Sequence, residues 1–377
     1  MLFLNRIIVF MNNLAIVSYN INCNFTNYGS ALQSWALNRS IEKFGFKPVL
    51  IDYCPKVLEN ADILNPIKLM WDTDDESKRM VQMSMPAITE NYHKFENFYS
   101  NRFKRSTKKY TDNDFPKVVT DEKIDGFVCG SDTIFCIDEF KGFVEGYYAN
   151  FDCMKGKSVS YAASFGDSHF NKKDYETLNL RLQNFKAIGL RENDMLDYVK
   201  RHTTAPAQRT IDPTLLLTQD DYDTLAAERL IPEKYVLLYS RRYNKQMFEY
   251  AEKIAKERNL KIVDISLRAA STAHHIPYYQ AGVEEFLSLV KHAECVVTNS
   301  FHGIIFCVQY RKLFYGFSRE QCGTKISELM DLFGLNGSLM VTGEETIATP
   351  DYDIVHDRIA QARTKSLEFL KKELELL

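Results

Sequence analysis

Apolar runs of strand length recur along the chain, and between them the apolar positions fall three and four apart. That alternation is the mark of βαβ units rather than of a sandwich or a helical bundle. The pattern predicts strands at 14–19, 48–53, 126–129, 158–162, 187–190 and 208–211, and a second series at 235–239, 261–266, 295–298 and 313–317. Helices at 245–258, 284–292 and 303–310 alternate with the later strands. A pause at 217–234, where Asp220, Asp221 and Asp223 cluster, reads as a linker. The expected fold is α/β with two Rossmann-like domains facing across a cleft. The first covers 1–220 with a helical insertion at about 56–123, the second covers 221–350, and a charged amphipathic helix at 351–377 packs back on the first.

The insertion carries an aromatic stripe, Phe95, Phe98, Tyr99 and Phe103, followed by Arg102, Lys104, Arg105, Lys108 and Lys109. It has two readings: a surface helical layer with solvated lysines, or a flap whose basic end meets a diphosphate or anionic headgroups.

At 377 residues, 45% hydrophobic and 13% aromatic, the chain is long enough for two cores and too apolar for disorder. A net charge of −3 argues against nucleic acid as a partner. The eight cysteines form no CxxC pair and read as buried thiols in a reducing, cytoplasmic compartment. The apolar start, 1–10, is short and interrupted by Arg6, and Met11 follows it, so this segment reads as dispensable rather than as a signal peptide or membrane span. His274-His275 is expected in a loop without carboxylates at metal spacing, and no metal site is expected. There is no GxGxxG and no GxxxxGK[ST].

In doubly wound sheets ligands bind beyond the carboxyl ends of the strands, so the residues there carry the candidate chemistry. After the first strand, Asn27-Tyr28-Gly29-Ser30 opens a helix and suits close backbone approach to an anion, or is ordinary capping. Gly130-Ser131-Asp132 presents a carboxylate that orients a hydroxyl proton or caps the next segment. Small residues at Ala163-Ser164 leave room for a ligand or ease packing. Arg191 at the fifth strand end either binds a carboxylate or phosphate bidentately or pairs with Glu192. Arg241 and Arg242 add positive charge from the second series. The densest junction is Thr298-Asn299-Ser300-Phe301-His302-Gly303, where a hydroxyl, an amide and an imidazole open a helix. His302 there caps its own helix or acts as an acid or base.

The joint order of these motifs, with Ser160-Tyr161-Ala162-Ala163-Ser164-Phe165-Gly166 and Asp212-Pro213-Thr214-Leu215-Leu216 between them, resembles the polysaccharide pyruvyl transferase family over most of the chain. The resemblance implies a glycosyltransferase-B-like fold and transfer of a pyruvyl group from phosphoenolpyruvate to a sugar of a bacterial capsule, exopolysaccharide or cell-wall glycan, forming a cyclic ketal. It implies His302 as principal acid/base, Asp132 as the hydroxyl-orienting carboxylate, and a donor site at Arg191, Asn299, Ser300, Gly303 and Arg241. Asn27, Tyr28, Gly29, Ser30, Ser131 and Ser164 then belong to the acceptor side or the cleft. Other branches read Arg-x-His where this chain has Ser300-Phe301-His302. Donor anchoring is therefore expected from Ser300, the helix amides and an arginine elsewhere, Arg191 or Arg241. No redox cofactor is required, and the partners expected are phosphoenolpyruvate and a sugar acceptor, with a lipid-linked acceptor at the inner membrane surface favoured by the basic insertion. The rival readings are a nucleotide-sugar-dependent glycosyltransferase of the same fold and a non-catalytic glycan-assembly protein.

Overall fold

A computed structural model describes residues 12–70, 74–266, 275–318, 323–336, 339–341 and 348–377. The segment 1–10, Met11, His274 and Cys322 lie outside the described residues. The first unit runs β1 (Asn13–Val17), α1 (Tyr28–Lys43), β2 (Lys47–Leu50), β3 (Tyr53–Cys54), α2 (Asp75–Arg102), β4 (Tyr110–Thr111), α3 (Val118–Asp121), β5 (Gly126–Cys129), α4 (Ile137–Phe140), β6 (Ser158–Ala163), α5 (Lys172–Leu182), β7 (Phe185–Leu190), α6 (Leu196–His202) and β8 (Ala207–Arg209). After α7 (Gln219–Asp223), the second runs β9 (Tyr235–Tyr239), α8 (Lys245–Arg258), β10 (Lys261–Asp264), β11 (His275–Pro277), α9 (Val283–His292), β12 (Cys295–Thr298), α10 (Phe301–Gln309), β13 (Leu313–Gly316) and α11 (Gly323–Phe333), and α12 (Tyr352–Leu374) closes the chain.

The first sheet has the order β2-β1-β5-β6-β7-β8 and the second β11-β10-β9-β12-β13, and every pairing in both is parallel. Helices cover both faces, which is why strands such as β9 and β12 are buried along their whole length rather than alternating. In each sheet the strand order reverses at one place, between β1 and β5 in the first and between β9 and β12 in the second. The crevices past these strand ends are where such sheets bind ligands.

The units are joined by a substantial seam. Tyr28 stacks on Phe286 with centroids 4.5 Å apart and donates its hydroxyl to the Ala281 carbonyl at 2.8 Å. Helix α2 reaches across the seam, pairing Lys94 with Glu285 at 2.8 Å and Arg102 with Glu284 at 3.3 Å. This corrects the flap reading of the insertion: Phe95, Phe98, Tyr99 and Phe103 are buried core, Arg105 is held by Asp52 and Glu96, and Lys108 by Asp121. Most of that basic stretch is neutralised within the molecule. Helix α12 packs on the first unit, where Ser366 Oγ accepts from the Ile211 amide and Arg363 donates to the carbonyls of Leu215 and Leu217.

Two local expectations change. The run 48–53 is not one strand: β2 ends at Leu50, and Tyr53 turns away to pair with β4 because its ring packs among Phe115 and Tyr147. His275 begins an edge strand rather than lying in a loop, with its buried ring 3.6 Å from Glu252 and 4.0 Å from Asp264.

Candidate functional site

The two strand-order reversals face each other across a cleft of about 520 Å³. The loop after β1, the turn after β5 and Arg191 after β7 line it from one side. Residues 240–242 after β9, the start of α10 and Lys325 of α11 line it from the other.

His302 occupies the first turn of α10 because Ser300, extended at the end of β12, caps that helix by accepting from the Gly303 amide at 3.1 Å. The ring leaves its own unit and enters the other. Its Nε2 lies 3.3 Å from Asp212 Oδ2, at ion-pair distance but without hydrogen-bond alignment. The opposite side of the ring rests on Gly29, where a Cβ would fall 2.0 Å from His302 Nδ1. Gly29 thus makes room for an imidazole, where the sequence suggested room for an anion.

Asp212 is held from below by its own turn: Oδ1 accepts from the Thr214 amide at 3.0 Å and hydroxyl at 2.6 Å, which leaves Oδ2 for Arg191 and His302. Burial alone would push its carboxyl up, but the imidazole of His302 and the guanidinium of Arg191 outweigh burial and hold it well below the usual carboxylate range. A carboxylate depressed in the folded state stabilises the fold above its unfolded pKa, near 3.9, and that contribution drains away as pH falls further. The melting temperature of the native protein should therefore fall more steeply than that of Asp212→Asn as pH drops from about 5 to about 3. Parallel melting curves for the two proteins would contradict the depressed carboxyl.

Arg191 is 6% exposed, donates Nε to Glu192 at 2.7 Å and Nη1 to Asp212 at 3.1 Å, and lies 3.9 Å from Asp132. Its guanidinium sits 4.6 Å over the Phe301 ring. Burial disfavours the charge, but Glu192, Asp212 and Asp132 together raise its pKa above the ordinary arginine value. Of the two sequence readings of Arg191, the pairing with Glu192 is present in the structure, and the side chain also lines the cleft. Asp132 takes a left-handed φ of 76°, which turns its carboxylate toward Ser30 Oγ at 2.7 Å and its own neighbour Thr133 N at 2.9 Å. Arg241 lines the cleft and donates to the Thr26 carbonyl at 3.1 Å, and Asn27 caps α1 by accepting from the Gly29 amide.

Several expected site residues point elsewhere. Ser131 Oγ donates to the Ala162 carbonyl and Ser164 Oγ accepts from the Gly166 amide, so both are fully buried beneath the cleft. Asn299 clamps the 240–242 loop, accepting from the Arg241 amide at 2.8 Å and donating to the Arg242 carbonyl at 3.0 Å. Gly303 serves close packing, because a Cβ there would sit 2.6 Å from Thr298 Oγ1. Tyr28 spends its hydroxyl on the seam between the units.

Two residues join the site that sequence reasoning left without a role. Asp212 stood inside a quoted motif, and its partner His302 belongs to the other unit. Lys325 is 7% exposed, lines the cleft, and makes no hydrogen bond or ion pair among the described residues. Its signal in the sequence is a lysine on the buried face of an amphipathic helix, in company with Ile326, Leu329, Met330 and Phe333.

Among solved structures, the chain is similar to a Listeria monocytogenes protein assigned as a UDP-N-acetylglucosamine 2-epimerase, with 12% identity, 97% of this chain and 98% of that chain covered, and a TM-score of 0.50. A Staphylococcus aureus MnaA–UDP structure follows at 12% identity, 97% and 91% coverage and a TM-score of 0.48. At that identity the first likeness is one of fold alone, two Rossmann-like units across a cleft in the glycosyltransferase-B-like arrangement. No curated protein matches the chain. The family model of polysaccharide pyruvyl transferase matches residues 27–321. That span runs from the cap of α1 past the end of β13 and takes in His302 with both of its neighbours across the seam, and the chain belongs to the polysaccharide pyruvyl transferase family.

Proposed function

We propose that this protein transfers the pyruvyl group of phosphoenolpyruvate to two hydroxyls of one sugar ring in a bacterial surface glycan or its precursor, forming a cyclic ketal and releasing phosphate. Lys325 carries the reading. A buried ammonium is costly when no counter-charge meets it, and Lys325 has none among the described residues; an anionic substrate in the cleft supplies one. Phosphoenolpyruvate offers both a carboxylate and a phosphate, which Lys325 and Arg241 would hold from the second unit. Arg191, already engaged by carboxylates, positions Asp212 and Asp132 more than it offers charge to the donor.

Ketal formation requires a proton on the methylene carbon of the enol, addition of two hydroxyl oxygens at the carbon that bears the phosphate ester, and loss of phosphate. Of the two hydroxyl protons given up, one is balanced by the new methyl group and the other leaves with phosphate. His302 supplies the proton to the methylene carbon, oriented by Asp212 on its Nε2 side. Asp132, which accepts from Ser30 and Thr133 and keeps further lone pairs, orients the attacking hydroxyl. The reading specifies the sugar and not its carrier, since the basic insertion that favoured a lipid-linked form is largely paired within the molecule.

Phosphate release from phosphoenolpyruvate should depend on an acceptor glycan and should not occur with UDP-N-acetylglucosamine as donor. Binding of the nucleotide sugar without binding of phosphoenolpyruvate would overturn the reading in favour of glycosyl transfer. Lys325→Met should raise KM for phosphoenolpyruvate by roughly ten- to a hundredfold, the worth of a charged hydrogen bond, while melting temperature holds or rises because a buried charge is gone. An unchanged KM would remove Lys325 from the donor site.

A further inference from the structure

The cleft sorts its charges by unit. Asp132, Asp138, Glu139 and Asp167 line it from the first unit, and Arg241, Arg242 and Lys325 from the second. Arg191 is the one cation on the carboxylate side among the described lining lysines and arginines, and Glu192 and Asp212 neutralise it. The carboxylate wall is not a sealed internal network. Asp138 pairs with His169 at 2.7 Å, yet 44% of its side chain stays exposed, and Asp167 is half-buried beside it. Independently, the buried Lys325 on the facing wall has no partner among the described residues, which marks the cleft as a place where ligand charge is expected on that side alone.

We infer that the acceptor ring lies along the carboxylate wall and is a neutral or amino sugar rich in hydroxyls, and that rings bearing a carboxylate, sulfate or phosphate are rejected there. Carboxylates only accept hydrogen bonds, so they match hydroxyl and ammonium donors and repel anionic substituents. A ring anion held about 6 Å from one such carboxylate in a partly hydrated cleft loses roughly tenfold in binding. The inference rests on the donor reading above only in giving the opposite wall to phosphoenolpyruvate.

The test uses the whole protein and pairs of para-nitrophenyl glycosides, glucoside and glucosaminide against glucuronide, and galactoside against galacturonide. Saturation-transfer NMR measures binding, and acceptor-dependent phosphate release from phosphoenolpyruvate measures reaction. Neutral and amino glycosides should bind at least about tenfold tighter than their uronides. The double variant Asp138→Asn, Asp167→Asn should narrow that ratio with its melting temperature kept. Uronides binding as well as neutral glycosides, no glycoside binding at all, or a ratio unchanged in the variant would overturn the inference. Preferential binding without any phosphate release would sustain it and overturn the donor reading instead.

Discussion

His302→Asn lowers kcat for phosphate release by roughly 10²–10⁴-fold, the span that a positioned general acid supplies, and leaves donor binding nearly unchanged. The reason lies in its neighbours. The ring is gripped between Asp212 in the other unit, 3.3 Å from Nε2, and the bare Cα of Gly29, and both contacts fix its plane at the edge of the cleft. Asparagine keeps polarity and approximate size but cannot carry a proton to carbon. Isothermal titration with phosphoenolpyruvate and steady-state kinetics separate the two effects. Loss of binding with kcat kept would make His302 a donor ligand and return the proton transfer to another group.

Gly29→Ala should produce a folded protein with kcat reduced by about 10²-fold or more. Alanine is favoured over glycine in a helix by up to about 1 kcal/mol, and Gly29 lies in the first turn of α1 without a left-handed φ, so the backbone accepts the change. The added Cβ would nevertheless lie 2.0 Å from His302 Nδ1, a distance that real atoms do not share. The flexible partner gives way: the imidazole swings toward the open cleft and leaves Asp212. A melting temperature equal to or above that of the native protein, together with the lost activity, is the expected signature. Retained activity would show that the ring can work from another position, and unfolding would show that the contact is structural.

The two variants also explain which parts of the site were legible from residues alone. Strands 126–129, 235–239 and 295–298 and the helix at 245–258 coincide with β5, β9, β12 and α8, because buried parallel strands are apolar nearly throughout and amphipathic helices repeat at 3.6. The strand ends follow from the strands, and with them His302, Asp132, Arg191 and Arg241. What pattern cannot supply is the direction a side chain takes after the strand ends. Ser131, Asn299 and Gly303 stand one residue from cleft-lining positions and Ser164 two, yet they turn inward to satisfy backbone groups or to pack. Nor can it supply pairings across the seam, so Asp212 and Gly29 acquire their meaning only when α10 is brought against the first unit. The division of charge between the walls is hidden for the same reason: Asp138 and Glu139 sit on the short helix α4, Asp167 lies in the loop after β6, and Lys325 is on a helix beyond the last strand.

The central claim is that a proton is delivered to the methylene carbon of phosphoenolpyruvate and that the resulting pyruvyl carbon is closed onto two sugar hydroxyls. Running the reaction in deuterium oxide and weighing the product tests it directly. The account predicts a pyruvyl ketal whose new methyl group carries one deuterium, absent from the His302→Asn reaction over the same time. A product that gains a glycosyl residue in place of a pyruvyl group, or a ketal whose methyl group carries no deuterium, would contradict it.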